Sequence, residues 1–162
     1  MGLGRIYLLL EDFEASLNCY QQTEKSFSDL SLNLQAYFLN NYGNYYYYTK
    51  DYQTSLKKFL MLKKLLEKHD KRETFSMYLC KLNLADVYLN LNQLDLSDKC
   101  LDEVEDYMRK NGDETAIYYC NTIRIGQAVK KKDWNTVARI LAGEKSNDQL
   151  DFSLLQIRHQ YL

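Results

Sequence analysis

The sequence predicts an all-α fold built as an array of helix pairs, on three observations. Apolar residues recur at three- and four-residue intervals along most of the chain, the spacing that lays one stripe along a helix. The 162 residues contain no proline, where average usage of about 5% would give roughly 8. Because proline removes a helix donor and clashes with the preceding turn, its absence fits a nearly all-helical chain with short connections. The third observation is an internal repeat. Leu3-Gly4 with Tyr7, Tyr42-Gly43 with Tyr46 and Leu84-Ala85 with Tyr88 each set a small residue three places before a tyrosine. A period in this range is the mark of stacked helical units that share one continuous core.

The copies run in the same register. Nine residues after the small residue stand Phe13, Tyr52 and Leu94; twelve after stand Ser16, Ser55 and Ser97; sixteen after stand Tyr20, Phe59 and Leu101. The first copy spans about 1–27, the second 29–69 and the third 74–110. A fourth, weaker copy over 114–144 has Ile125 and Ala128 in the leading columns and Trp134, Val137 and Leu141 in the later ones, so that the copies recur every 39, 42 and 40 residues. The segment 148–162 reads as one unpaired amphipathic helix. Each copy divides into two helices at a polar step, Glu11-Asp12, Lys50-Asp51, Asn92-Gln93 or Lys132-Asp133, where an aspartate or a neighbouring polar group is placed to cap the second helix. Longer polar breaks separate the copies, and Asn111-Gly112 is a helix-stop signal. The small columns are expected to let two helices approach, with Tyr7, Tyr46 and Tyr88 filling the adjoining space.

Composition bounds the function. At 46% hydrophobic, 27% charged and a net charge of -1, the chain reads as a folded domain without the basic footprint of a nucleic-acid binder. The longest apolar run, Ile6–Leu10, is far short of the roughly 20 residues a spanning helix needs. The four cysteines form no CxxC pair and stand near no histidine, so neither a metal site nor any cofactor is expected. Cys19 with Cys100, and Cys80 with Cys120, share repeat columns and read as small buried hydrophobes. There is no P-loop, complete dinucleotide glycine motif, HExxH or glycine-flanked nucleophilic serine, and His69 and His159 lack acidic partners at a catalytic spacing. The chain is therefore read as not an enzyme. Trp134 is read as core.

Small residue, tyrosine three later, aromatic nine later, then small and large apolar residues: this order resembles the tetratricopeptide repeat over nearly the whole chain. That family's repeat is 34 residues and closes on proline, so this chain departs in its longer period and missing prolines. The resemblance implies a right-handed α-solenoid of stacked antiparallel helix pairs, about three and a half repeats plus the terminal helix. It also implies a groove lined by the first helices that takes a protein or peptide. The groove positions carry over to Arg5, to Tyr37, Asn40, Asn44, Tyr47 and Tyr48, to Leu79, Asn83, Asp86 and Asn90, and to Tyr119, Thr122 and Lys130. An asparagine both donates to and accepts from a peptide backbone, which suits sequence-tolerant recognition. Asn44 and Asn83 match two asparagines of the family's carboxylate clamp, but Asn40 stands at its first lysine and later basic positions are mostly missing, against a chaperone C-terminal peptide.

Two further features bear on partners. Tyr45 to Tyr48 point in four directions on a helix; Tyr46 is read as the core member, leaving Tyr47 and Tyr48 for other surfaces. Asp51–Glu73 carries seven basic and four acidic residues and Asp95–Asp106 six acidic residues and one lysine, so these neighbouring second helices are placed to attract one another or to face solvent. The expected function is a non-catalytic protein- or peptide-binding scaffold. Phrases such as Leu82–Leu89 resemble the sensor or interaction regions of larger bacterial signalling proteins, of which this chain would be a fragment, cytoplasmic or, in a membrane-anchored parent, periplasmic. The alternative is a self-assembly module that associates through its exposed end helices.

Overall fold

The computed structural model describes residues 2–69, 75–111 and 117–144, and these are helical with no strand among them. The order is α1 (Gly2–Leu9), α2 (Phe13–Glu24), a 3-10 turn (Phe27–Asp29), α3 (Leu32–Tyr48), α4 (Tyr52–His69), α5 (Phe75–Asn90), α6 (Leu94–Asn111), α7 (Ile117–Lys131) and α8 (Trp134–Glu144). The fold is all-α and helical-repeat-like. Successive helices pair as α1 with α2, α3 with α4, α5 with α6 and α7 with α8, while α4 also packs on α5 and α5 on α7. The proposed terminal helix 148–162, Gly112 and His159 lie outside the described residues.

One turn, used four times, makes the pairs. Glu11, Lys50, Asn92 and Lys132 all take left-handed backbone with φ of 58, 63, 59 and 58°. Their spacing of 39, 42 and 40 residues is the period of the sequence repeat. Around Glu11 the Asp12 N–H donates to Tyr7 O at 2.9 Å and the Glu11 N–H to Leu8 O at 3.1 Å, the pattern that ends a helix by turning one residue left-handed. Gln93 and Asn92 repeat it on Tyr88 and Leu89, and Asp133 and Lys132 on Ala128 and Val129. The next helix is then capped by the aspartate expected to do so: Asp12 accepts from Ala15 N–H at 3.0 Å, Asp51 from Thr54 at 3.0 Å and Asp133 from Thr136 at 3.1 Å. The side-chain hydrogen bonds of Thr54 and Thr136, and after them these backbone bonds, hold the Asp51 and Asp133 carboxyls below their ordinary range.

The repeat columns have a physical basis. The serine twelve places after the small residue donates to that residue's carbonyl: Ser16 to Gly4 at 2.8 Å, Ser55 to Gly43 at 2.9 Å and Ser97 to Ala85 at 2.7 Å, all buried. A side chain at the small position would meet the aromatic sixteen places on. A Cβ on Gly43 would lie 2.7 Å from the Phe59 ring, and one on Gly4 would lie 3.1 Å from the Tyr20 ring. Close approach is thus occupied by Tyr20 and Phe59, rather than by the expected Tyr7 and Tyr46, which are half-buried.

Tyr20, Tyr42, Tyr45 and Tyr46 enter one aromatic cluster with Phe27 and Phe38. Tyr20 of α2 stacks on Tyr42 of α3 at 5.0 Å and meets Tyr45 at 5.9 Å and Phe38 at 6.2 Å, and the Tyr46 hydroxyl donates to that of Tyr42 at 3.0 Å. Lys58 of α4 lies 4.4 Å over the Tyr42 ring and pairs with Glu24 of α2 at 2.6 Å. Phe27 of the 3-10 turn packs on Phe38, while Gln35 donates to the Phe27 and Leu30 carbonyls and closes the break between copies. Within the tyrosine run the buried member is Tyr45, not Tyr46, a rotation of one position around the helix. Trp134 corrects another expectation: it stands 61% exposed on α8. Cys80 and Cys120 are buried and Cys19 and Cys100 half-buried, in line with their columns. Burial pushes the Cys80 and Cys120 thiols up to about 12 and that of Cys100 to about 11.

Candidate functional site: a carboxamide and tyrosine face on the first helices

The first helices place most of the expected groove residues on one face. On α3, Asn33, Tyr37, Asn40 and Asn44 follow one another at helical spacing, and on α5 Ser76, Leu79, Asn83, Asp86 and Asn90 do the same. Arg5, Tyr37, Asn40, Asn44 and Tyr48 line one cavity of about 220 Å³ between α1 and α3. Asn44, Tyr47, Tyr48, Asn83 and Asp86 line a second of about 100 Å³ between α3 and α5. Tyr37, Asn40 and Leu79 line a third of about 570 Å³ together with Asn33, Ser76 and His69. The cavities share Tyr37, Asn40, Asn44 and Tyr48, so they join along α3 into one continuous surface.

Hydrogen bonds divide these residues into two groups. Asn83 Nδ2 donates to Asn40 Oδ1 at 3.0 Å, and Asn90 Nδ2 donates to the Tyr47 hydroxyl at 3.3 Å and the Asp86 carbonyl at 2.9 Å. These bonds tie α3 to α5 and fix the orientation of the amides, while each amide keeps donor or acceptor capacity. Asn44 and Arg5 make no hydrogen bond or ion pair among the described residues, and Asn44 belongs to both smaller cavities. Tyr37 and Tyr48 are exposed. The surface therefore offers an unengaged carboxamide between two exposed phenols, with a guanidinium at the α1 end and a carboxylate, Asp86, on α5.

The α7 residues do not join it. Lys130 Nζ donates to Leu89 O at 2.7 Å, a carbonyl at the end of α5 that also accepts from the Asn92 N–H. Thr122 is buried and donates to Tyr118 O at 2.8 Å, which removes it from any groove. Tyr119 is exposed and lines none of the three cavities. Asn33 and Ser76 entered without having been singled out, as did His69, which was read only as lacking a catalytic partner. The first two continue the stripes of Tyr37 and Leu79, a spacing signal that reading only the carried-over positions passes over.

The charged second helices also meet differently from expectation. The acidic run on α6 faces α7 and α5 rather than α4: Arg124 of α7 pairs with Asp98 at 3.5 Å, Asp102 at 3.0 Å and Glu105 at 2.8 Å, and Lys81 of α5 pairs with Glu103 at 3.1 Å. Among the described residues no cluster of His, Cys, Asp and Glu is placed to hold a metal ion, and no helix is long and apolar enough to cross a membrane. Comparison with known proteins finds no matching family model, no similar curated protein and no similar solved structure.

Proposed function

We propose that the chain is a non-catalytic scaffold, a tetratricopeptide-like right-handed α-solenoid of about three and a half repeats whose α1/α3/α5 face binds an extended segment of another protein. The observation that supports this reading is the continuous surface of shared cavities along α3, with Asn44 unengaged at its centre. A carboxamide donates to and accepts from one peptide unit, and exposed tyrosines give large contact area with a polar tip; together they suit backbone recognition flanked by aromatic contacts. The lengthened repeats and the Leu82–Leu89 phrase add a role as the sensor or interaction region of a larger bacterial signalling or regulatory protein.

The test is affinity capture from the source cell with the chain as bait, read by mass spectrometry beside an Asn44→Ala/Asn83→Ala variant whose helicity and melting are checked first. A partner retained by the parent chain and lost by the folded variant is the expected result. An unchanged set of captured proteins contradicts the groove reading.

A further inference from the structure

Arg5, Asn44 and Asp86 stand in one column of the repeat, each one place after the small residue of its copy. The fourth copy has Gly126 there, buried in α7, so the column of polar side chains ends at α5. The three side chains line the two smaller cavities of the α1/α3/α5 face, Asn44 belonging to both. Arg5 and Asp86 are the only charged side chains among the described residues that line those cavities, every other polar side chain there being a carboxamide or a phenol. The face is therefore uncharged along its middle, with one cation at the α1 end and one anion at the α5 end.

The two charges are held differently. Arg5 is exposed and makes no hydrogen bond or ion pair among the described residues. Asp86 is half-buried, and its Oδ1 accepts from Asn90 Nδ2 at 3.3 Å, which leaves the carboxylate its charge and further acceptor capacity. The column does not owe its opening to the ends of the array, because Asn44 and Asp86, with helices packed on either side, line the same surface as Arg5. First helices packed at roughly 10 Å per step set Arg5 and Asp86, two copies apart, on the order of 20 Å from each other. At that separation the two charges are screened from one another, so each selects its own counter-charge. An extended chain advances about 3.3 Å per residue, so about six residues bridge them.

We propose that the segment bound along this face is dipolar: an acidic side chain meets Arg5, a basic side chain about six residues away meets Asp86, and uncharged residues lie against the carboxamides and phenols between. The charges fix direction, since a segment laid the other way round sets its carboxylate against Asp86 and its cation against Arg5, a like-charge juxtaposition at both ends. This inference rests on the groove reading and adds to it the charge order of the partner.

Affinity selection from a displayed library of random dodecapeptides, flanked on both sides by fixed sequence so that their own termini play no part, reads that order directly. The parent chain should enrich peptides with one acidic and one basic residue about six apart, always in the same order. Arg5→Glu, at an exposed position, should lose the preference for the acidic residue and keep that for the basic one, and Asp86→Asn should do the reverse. In direct binding an enriched peptide should bind Arg5→Glu about tenfold more weakly than the parent chain, a loss that shrinks in high salt. Circular dichroism and melting check that both variants fold, and Arg5→Glu alone decides the matter should Asp86→Asn not fold. Peptides enriched without a charge order, or an order unchanged in Arg5→Glu, overturn the proposal and leave the groove reading standing. A parent chain that enriches no peptide overturns both.

Discussion

The junction between α4 and α5 and the junction between α6 and α7 occupy the same register and both bury apolar side chains, Leu101, Val104 and Met108 of α6 clustering with Cys120 and Ile123 of α7, but the second adds a layer of charge. At the first, Leu84 and Val87 are buried in one cluster with Phe59 and Leu62. At the second, the equivalent positions are Arg124 and Gln127. Arg124 is held by three carboxylates of α6, and Gln127 Nε2 donates to the buried Ser97 Oγ at 2.9 Å. Ser97 in turn donates to Ala85 O, so the polar junction is wired into the hydrogen bond that marks each repeat. Beside it lies a cleft of about 810 Å³ between α6, α7 and α8, lined by Arg124, Met108, Ile117 and Ile140 among others. Apolar burial contributes roughly 25 cal/mol per Å² and is not screened by salt, whereas a partly exposed ion network contributes little net stability and is screened. One repeat frame thus carries a wholly apolar joint and one whose apolar core is rimmed by a salt-sensitive ion network.

The largest effect is expected from overfilling the apolar side. Gly43→Ala drives a Cβ to within 2.7 Å of a buried ring and should cost about 3 kcal/mol, while Gly4→Ala, at 3.1 Å from Tyr20, should cost about 1 kcal/mol. Chemical denaturation that ranks the two equally would show that the small columns do not set helix approach. On the polar side, Arg124→Ala leaves Asp102 and Glu105 without their counter-charge and Asp98 with Lys131 alone, 3.4 Å away. Because those carboxylates are partly solvated, the cost should be about 1–2 kcal/mol and should shrink in high salt. Loss that does not change with salt would assign Arg124 a packing role instead.

Smaller effects test the turn that both joints share. Lys50 at φ 63° carries the steric penalty of a left-handed side-chain residue, so Lys50→Gly should stabilise by about 1 kcal/mol, read as a rise in melting temperature. Asp51→Ala should cost about 1 kcal/mol at neutral pH through loss of its cap on Thr54. The Asp51 carboxyl is held low in the folded state, so its stabilisation is present above the ordinary carboxylate range and is lost as pH falls through the depressed value. The Asp51→Ala variant should accordingly lose less stability than its parent between pH 5 and pH 2. The smallest effect is on labelling: Cys80 and Cys120, buried and pushed up to about 12, should react with a thiol reagent at pH 8 far more slowly than Cys19.

These comparisons also show which parts of the fold were legible. The period and the two-helix division could be read because small, hydroxyl and large apolar residues recur where helices touch, and Ser16, Ser55 and Ser97 prove to make one hydrogen bond three times. The left-handed turn could not, because Glu11, Lys50, Asn92 and Lys132 look like ordinary polar residues where glycine would have announced the geometry. Reading Tyr46 for Tyr45 reflects a limit of periodicity: neighbouring helical positions differ by about 100°, and four tyrosines in a row erase the contrast that fixes the phase. The groove residues on α3 and α5 were implied by the family resemblance, and they fall at helical spacing. The commitment of Lys130 to the Leu89 carbonyl could not be read, since that bond joins residues 41 positions apart. Nor could the partner of the acidic run, because Arg124 is a single charge set among Ile123, Ile125 and Gly126.

The central claim is that the copies stack in one register, with an apolar joint before α5 and, before α7, a joint that adds an ion network to its apolar core. Amide hydrogen exchange read by mass spectrometry at low and high sodium chloride tests it most directly, since the screening length falls from about 30 Å at 0.01 M to about 3 Å at 1 M. Protection of α7 and α8 should fall with salt while that of α3, α4 and α5 holds. Protection that changes equally in both halves, or falls first in α3–α5, would contradict the account.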